Sequence, residues 1–567
     1  MRTRTLLVGG IALVACASTR DFPAARFANR PAVGIVDDRR DVPRPPAKIT
    51  MYGQLDPFDT SIQRPLERTF ELPRDRRALG VNSLDQVPDS TWFTNRVSAR
   101  VLTPDEIRNG PLTIESPELH KPWTVTGRKF GGTTVGYIIN DARGLKYLIK
   151  FDSPEYPEVE TGTHVTVNRL LWAAGYNVPE DQIAYVRPNE LVMSPDATVK
   201  DPFGSTLKQL TRGSLDRALA KVAHEPDGRI RVLISRWLDG QVLGGHPHEG
   251  VREDDPNDRI PHELRRDLRG ALPIFAWVDH VDLLPSNFVD TWVADPVYPT
   301  RHYVMHYLLD FGMSLGVMAM KNNDTRRGYV YRIDLVNMFT ELLSLGLDDR
   351  VWERAHGRTL RGVSDSFESA TFDPGKWVPD FPYVPFEMAD RFDMYWGAKI
   401  VSQFSRAQIA AAVDAGRFSD PNASAYLVDT LLERQRKTVA YWFRQVNPVD
   451  NFALDARGSL CFDDLSIKNT LVRAPLTHYT IVARDHSGRS LGQGVDVVAD
   501  PSGRTCTPAV ALAADHDGYT IVEITTTRAQ FRGTTLVHLA RRGVAMNHGE
   551  AEEPQESQTS VIGVWRE

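Results

Sequence analysis

The chain has 567 residues, of which 41% are hydrophobic and 25% charged, with a formal net charge of −6. That length is more than one hydrophobic core organises, so roughly two to four domains follow, and the composition excludes a disordered or fibrous chain. The small charge and the lack of any basic stretch exclude nucleic acid as a partner and give no electrostatic reason to sit on a membrane.

Arg2 and Arg4 precede an apolar run from Leu6 to Ala15. The run is too short to cross a bilayer as a helix and fits the core of a signal peptide. It ends in Leu13-Val14-Ala15-Cys16, which resembles a bacterial lipobox; an ordinary signal peptide cut nearby is the other reading. The resemblance implies that Cys16 is lipidated, starts the mature chain and anchors it in the cell envelope. Ala17 in place of Asp implies outer-membrane sorting, facing periplasm or surface, in a host with two membranes. Residues 1–16 are therefore read as signal segment, and 17–49, rich in Pro, Arg and Asp, as a tether. Residues 50–118 carry an apolar patch at Trp92-Phe93, suggest no chemistry, and are expected to pack behind the next domain.

Three β-branched or aromatic runs follow, Trp123 to Thr126, Thr133 to Ile139 and Tyr147 to Phe151, with turn residues between them. They predict a meander, and Gly131, Gly132 and Gly136 are the positions where backbone can approach a phosphate closely. Lys150 ends the third strand, where a buried ammonium needs a partner. A helix is predicted from Pro157 to Ala174 with Gly175 as its C-cap. Val167, Leu170, Leu171 and Ala174 mark its buried face. Glu160 lies seven residues before Val167, on that face, and Glu158 nearly opposite; both remain candidates to meet Lys150, with Glu160 preferred. Ile183 to Met193 and Arg229 to Leu238 read as strands and Ser214 to Val222 as a helix. Leu264, Leu268, Leu272 and Phe275 then predict a helix kinked at Pro273.

That helix delivers the chain to His280-Val281-Asp282-Leu283-Leu284-Pro285-Ser286-Asn287, of the form H-x-D-x-x-x-x-N. Two short strands, at Phe288-Val289 and Tyr303 to Leu309, separate it from Asp310-Phe311-Gly312. A hairpin there brings Asn287 and Asp310 to one end. Order, spacing and intervening pattern together resemble the catalytic loop and metal-binding loop of the protein-kinase-like superfamily. The resemblance spans residues 123–447 and implies an α+β, two-lobed kinase-like fold, with a β-rich small lobe at 119–243 and a helical large lobe at 244–453. It implies ATP between the lobes, Lys150 on its phosphates, and Mg²⁺ or Mn²⁺ held by Asn287 and Asp310. Asp282 would orient the acceptor hydroxyl of a protein or small molecule, with His280 supporting the loop. Val281, Leu284, an unorthodox glycine loop and the lack of A-P-E point to atypical members, HipA-like or secreted spore-coat-type kinases. A lipid-anchored chain works where ATP is scarce, so a pseudokinase scaffold and an adenylyl transferase on the same fold are the competing readings.

Leu335 to Leu343, Met388 to Phe404, Arg406 to Ala412 and Ala425 to Phe443 read as further helices, and Trp377 to Phe386 as a packed loop. From 454 to 567 short runs at Tyr479 to Arg484, Val495 to Ala499, Ala509 to Ala513, Tyr519 to Thr525, Thr535 to Leu539 and Ser560 to Trp565 predict a small all-β sandwich. Cys461 and Cys506 lie in this region, either bonded to each other or as two small core residues.

Overall fold

The computed structural model describes residues 26–49, 77–129, 134–200, 207–318, 326–344, 347, 350–354, 357–515, 517–542 and 558–567. Cys16, Gly131 and Gly132 lie outside these residues. Mixed α and β elements make up the rest, as the pattern predicts.

A seven-stranded sheet is built from β1 (Trp123–Arg128), β2 (Gly136–Asn140), β3 (Lys146–Phe151), β4 (Asp181–Val186), β5 (Leu191–Lys200), β6 (Leu207–Gln209) and β7 (Ile230–Arg236). Its order is β4-β7-β3-β2-β1-β5-β6, antiparallel throughout except for β1 beside β5. Alternation places Trp123, Val125, Ile139, Tyr147 and Ile149 in one apolar cluster. The run from Ile183 to Met193 is two strands rather than one. Pro188, which has no amide hydrogen for a ladder, opens a single turn between β4 and β5.

The helix Val159–Ala174 lies on this sheet and ends at Gly175 with φ 133°. It is buried on all sides because it has two neighbours. Val165 packs with Ile183 and Leu233 of the sheet, whereas Val167, Leu170 and Leu171 join a larger cluster with Trp277, Trp396 and Leu431 of the helical body. That body contains the helices Ala271–Val278, Arg391–Val401, Arg406–Ala415 and Pro421–Phe443. The helix before the catalytic-loop motif breaks at Gly270, not Pro273: Arg266–Arg269 ends there and Ala271–Val278 begins. Pro273 falls in the first turn of the new helix, where its missing amide hydrogen has no partner to lose. Gly270 is needed for a different reason. A Cβ there would lie 2.4 Å from the Trp396 ring and 2.8 Å from the Asp393 carbonyl oxygen, and one on Gly397 1.9 Å from the Gly270 carbonyl oxygen, so the two helices cross with their backbones nearly touching.

A three-stranded sheet, β8 (Gln241–Gly245), β9 (Phe288–Ala294) and β10 (His302–Leu308), is attached to the helical body, with β9 in the centre. The front of the chain is laid over it. Residues 26–49, read as tether from their composition, instead bond to the body: the amide of Val42 donates to the His302 carbonyl at 2.7 Å and that of Ile49 to Leu243 at 2.8 Å. Backbone pairing of this kind leaves no mark in composition. Phe93 is fully buried between Tyr176 and Trp396, and its truncation to Ala is expected to cost about 3–5 kcal/mol.

The C-terminal strands form two sheets: β11 (Val449–Leu454), β12 (Ser459–Asp464), β13 (His478–Asp485), β14 (Val495–Val498), β15 (Arg504–Ala509), β16 (Thr520–Thr527), β17 (Gly533–Arg542) and β18 (Gln558–Arg566). The orders are β11-β12-β15 and β14-β13-β16-β17-β18, and apolar residues of both meet in one cluster. The strand expected at Ala509 to Ala513 lies earlier. Thr505 and Thr507 point inward there, a β-branched signal that polar hydroxyls conceal, while the alanines that follow favour no strand. Cys461 and Cys506 face each other across β12 and β15 and are bonded, so the disulfide alternative holds. Arg566, fully buried, ties this region forward: its Nε donates to Asp85 at 3.0 Å and its Nη1 to the Val449 carbonyl at 2.7 Å.

Candidate active site

The register of the β9–β10 hairpin decides what meets. Phe288 pairs with Leu308, and the amide of Leu309 donates to the Asn287 carbonyl at 2.9 Å. Asn287 and Asp310, 23 residues apart in sequence, therefore leave the same end of the hairpin. Preceding this, Asp279 closes the helix in the left-handed region, at φ 53°. Its carboxylate takes hydrogen bonds from the Trp377 indole at 2.8 Å and from the Gly316 amide at 3.1 Å. Val281 and Leu283 are buried, so alternation turns Asp282 the other way, toward Asp310. The Asn287 side-chain amide donates to the Asp282 carbonyl at 3.1 Å, which holds the loop folded and leaves the amide oxygen for another partner. Asp310 itself has φ 60°, a left-handed conformation that a short polar side chain tolerates better than most.

Lys150, paired in register with Gly136 on one side and Leu233 on the other, points from β3 across to this end. Its Nζ donates to Asp310 Oδ1 at 2.5 Å, joining residues 160 positions apart. Lys129 Nζ is 3.9 Å from the other carboxylate oxygen, and His164 Nδ1 3.9 Å from Oδ1. Burial works upward on Asp310 but Lys150, then Lys129 and His164, outweigh it and hold the carboxyl well below the usual range. For Lys150 burial works downward and is outweighed by Asp310 and Glu160, so the ammonium persists. The neighbouring carboxyls move the other way. Burial, reinforced by Asp310, pushes Asp282 up to about 6, and burial pushes Glu160 up to about 7 against the pull of Lys150. One strongly ionised carboxylate thus stands beside one that titrates close to neutrality, a division suited to a cation ligand and a proton acceptor.

Lys150, Asp282, Asn287 and Asp310 come together. Glu160 comes near, but it accepts from the Thr134 hydroxyl at 2.8 Å and lies beside Gly312 rather than bonding Lys150. Glu158 does not join the site. It caps the helix at φ 71° and bonds Arg361 and the Ser419 hydroxyl, each at 2.7 Å, so its role is structural. His280 is buried, bonds Ser314 Oγ at 3.0 Å and packs edge-on against Phe275 and Phe311; burial lowers it to about 4, leaving it neutral beneath the loop. Gly136 is explained by packing: a Cβ there would meet the Ile149 carbonyl at 2.8 Å and the Lys129 side chain at 3.3 Å.

Sequence reasoning missed His164, Asp181 and Lys129. His164 Nε2 is 2.8 Å from the buried Asp181 carboxylate, and its Nδ1 makes no hydrogen bond among the described residues. The signal was available, since His164 follows Glu160 by four on the same helix face. Phe311 sits between His164 and His280, with ring centroids at 5.4 and 5.6 Å.

No family model matches the chain, and no curated protein matches it. Among solved structures, the crystal structure of the Golgi casein kinase with Mn/ADP bound is similar at 11% identity, over 51% of this chain and 75% of that one. The TM-score is 0.22, too loose an overlap for anything to be argued from it.

Proposed function

We propose that the protein is an atypical kinase-like phosphotransferase that moves the γ-phosphoryl of ATP to a hydroxyl of a protein or small molecule. One observation carries the reading: Lys150 and Asp310, from distant elements, are in direct contact beside Asp282 and Asn287. In this reading residues 119–243 act as the small lobe and 244–453 as the large lobe, with the nucleotide between them. Residues 454–567 form a sandwich appended to them, and Cys16 anchors the chain by lipid in the envelope.

The donor set suits a hard divalent cation, Mg²⁺ or Mn²⁺. Asp310 is kept ionised, and Asn287 commits its amide nitrogen to the Asp282 carbonyl, which frees its oxygen. Asn287 and Asp310 would hold the ion, and its chemistry there is neutralisation of phosphate charge. The rest falls to side chains. Lys150 exchanges its bond to Asp310 for the α- and β-phosphates, a compact ammonium serving as a point charge. Asp282 accepts the acceptor's hydroxyl proton as the new oxygen–phosphorus bond forms, and the bond to the departing ADP oxygen breaks. Such catalysis is mostly positioning and electrostatics.

The test is incubation of the purified chain with Mn²⁺ or Mg²⁺ and ATP labelled separately at the α- and γ-phosphates. Label transferred from the γ position to the protein or to an added hydroxyl acceptor, and lost in Asp282→Asn, supports the reading. Transfer of α label alone replaces it with adenylyl transfer. Transfer of neither by a chain that binds no nucleotide replaces it with a binding scaffold.

A further inference from the structure

We infer that His246, Asp290 and His306 form a second, buried cation site, of the zinc class, in the middle of the sheet that carries the catalytic loop. It is independent of the phosphotransferase reading.

Three adjacent strands supply it. His246 directly follows β8, Asp290 is the third residue of central β9, and His306 pairs with Asp290 from β10. The sheet thus brings three ligand-bearing side chains onto one face, His246 two positions beyond the Gly244 that pairs with Asp290, and all three are at least 96% buried. Both imidazoles turn Nδ1 toward the same carboxylate oxygen, at 2.9 Å for His246 and 2.7 Å for His306, and the three donor atoms lie within 4.8 Å of one another. Two imidazole nitrogens and one carboxylate oxygen are the three-ligand set that Zn²⁺ takes with water as the fourth. A cavity of about 10 Å³ lies beside the two imidazoles, lined by both histidines, Trp92, Asn177 and Phe288 but not by Asp290.

The surroundings match what a bound cation needs. Arg252 donates from Nη1 to the other oxygen of Asp290 at 3.0 Å, which orients the carboxylate and reserves Oδ1 for the site. Trp92 stacks on His306 at 3.6 Å and meets His246 edge-on at 4.9 Å, fixing both ring planes. The carboxylates of Asp255 and Asp258 are buried nearby, the second bonded to His262 at 2.8 Å, while Arg252 is shared between Asp290 and Asp254 and Arg265 is committed to Asp267, an acidic neighbourhood that favours a cation. The nitrogen donors also separate this site chemically from the oxygen donors of Asn287 and Asp310.

The experiment measures metal in the full chain as isolated, then after chelation and re-addition of Zn²⁺ or Mg²⁺, with unfolding midpoint as a second readout. The expected result is about one equivalent of Zn²⁺ per chain, a midpoint that falls on chelation, and recovery with Zn²⁺ but not Mg²⁺. Arg252→Gln, which leaves the three ligands intact, is expected to weaken Zn²⁺ about 10- to 100-fold, and Asp310→Ala to leave zinc content unchanged. Wild-type chain that holds no zinc and whose midpoint ignores added zinc overturns the inference and leaves a hydrogen-bonded His–Asp–His cluster. That measurement needs no variant to fold.

Discussion

The two parts of the β9–β10 hairpin use the same residue types in opposite ways. At its end Asp310 is one-third exposed, faces two lysines and a histidine, and makes a single short bond to Lys150. In its middle Asp290 is fully buried and both carboxylate oxygens are taken, one by two imidazoles and one by Arg252. The first is an open constellation whose partners can be exchanged; the second is a closed one whose partners are fixed. Under the proposed function Asp310 would trade a lysine for a nucleotide-bound cation and so has to stay accessible, while the closed cluster across the hairpin, where Asp290 pairs with His306, keeps that end in place.

The sharpest way to break this contrast is Asp310→Ala. Transfer is expected to fall by about 10²–10³-fold or more, with the His246–Asp290–His306 cluster and the fold unaffected. Equal losses of activity and stability would mean that the two ends are not separable. Asp290→Ala inverts the pattern. It removes one of the two carboxylates paired with the buried Arg252 guanidinium and the acceptor of both imidazoles, so chemical denaturation is expected to show a loss of about 3–5 kcal/mol.

A smaller effect comes from a region touching neither end. Replacing both Cys461 and Cys506 by Ala opens a loop closed over 45 positions and is expected to cost about 2–4 kcal/mol, with nucleotide response unchanged. The smallest effect is in pH dependence, and its sign separates chemistry from folding. Asp282 at about 6 and Glu160 at about 7 both titrate above their unfolded values, so the native state holds extra protons. The stability they contribute is present below about pH 4 and is lost as pH rises through 6 and then 7. Activity runs the other way: Asp282 accepts a proton only when ionised, so transfer falls below about pH 6. Glu160→Gln is expected to flatten the upper part of the stability slope and leave the acid limb of activity in place.

How much was legible follows from the distance over which each signal acts. The catalytic-loop and D-F-G motifs are local strings, and the hairpin between them can be read from two short β-branched runs, so the convergence of Asp282, Asn287 and Asp310 on one end of it is legible. That Lys150 needs a buried partner follows from an ammonium closing an apolar strand, although the partner is Asp310 and not a helix glutamate. Counting back from Val167 sets Glu158 nearly opposite the buried face, and only an irregular first turn keeps it a candidate; the helix does begin there in the left-handed region, but the carboxylate is turned to Arg361 and Ser419. The His246–Asp290–His306 cluster left no string at all, since its members are separated by 44 and 16 positions and only sheet register unites them. The front segment was opaque for the same reason: its attachments are backbone hydrogen bonds, and composition carries no record of them.

Thermal unfolding of the purified chain with and without ATP and Mn²⁺ tests most directly whether Lys150, Asn287 and Asp310 jointly receive a metal nucleotide. At ligand about 100-fold above its dissociation constant the native state gains about 2.7 kcal/mol, so the midpoint is expected to rise by a few degrees in the wild type and not in Asp310→Ala. A midpoint that no combination of nucleotide and divalent cation moves in the wild type would contradict it.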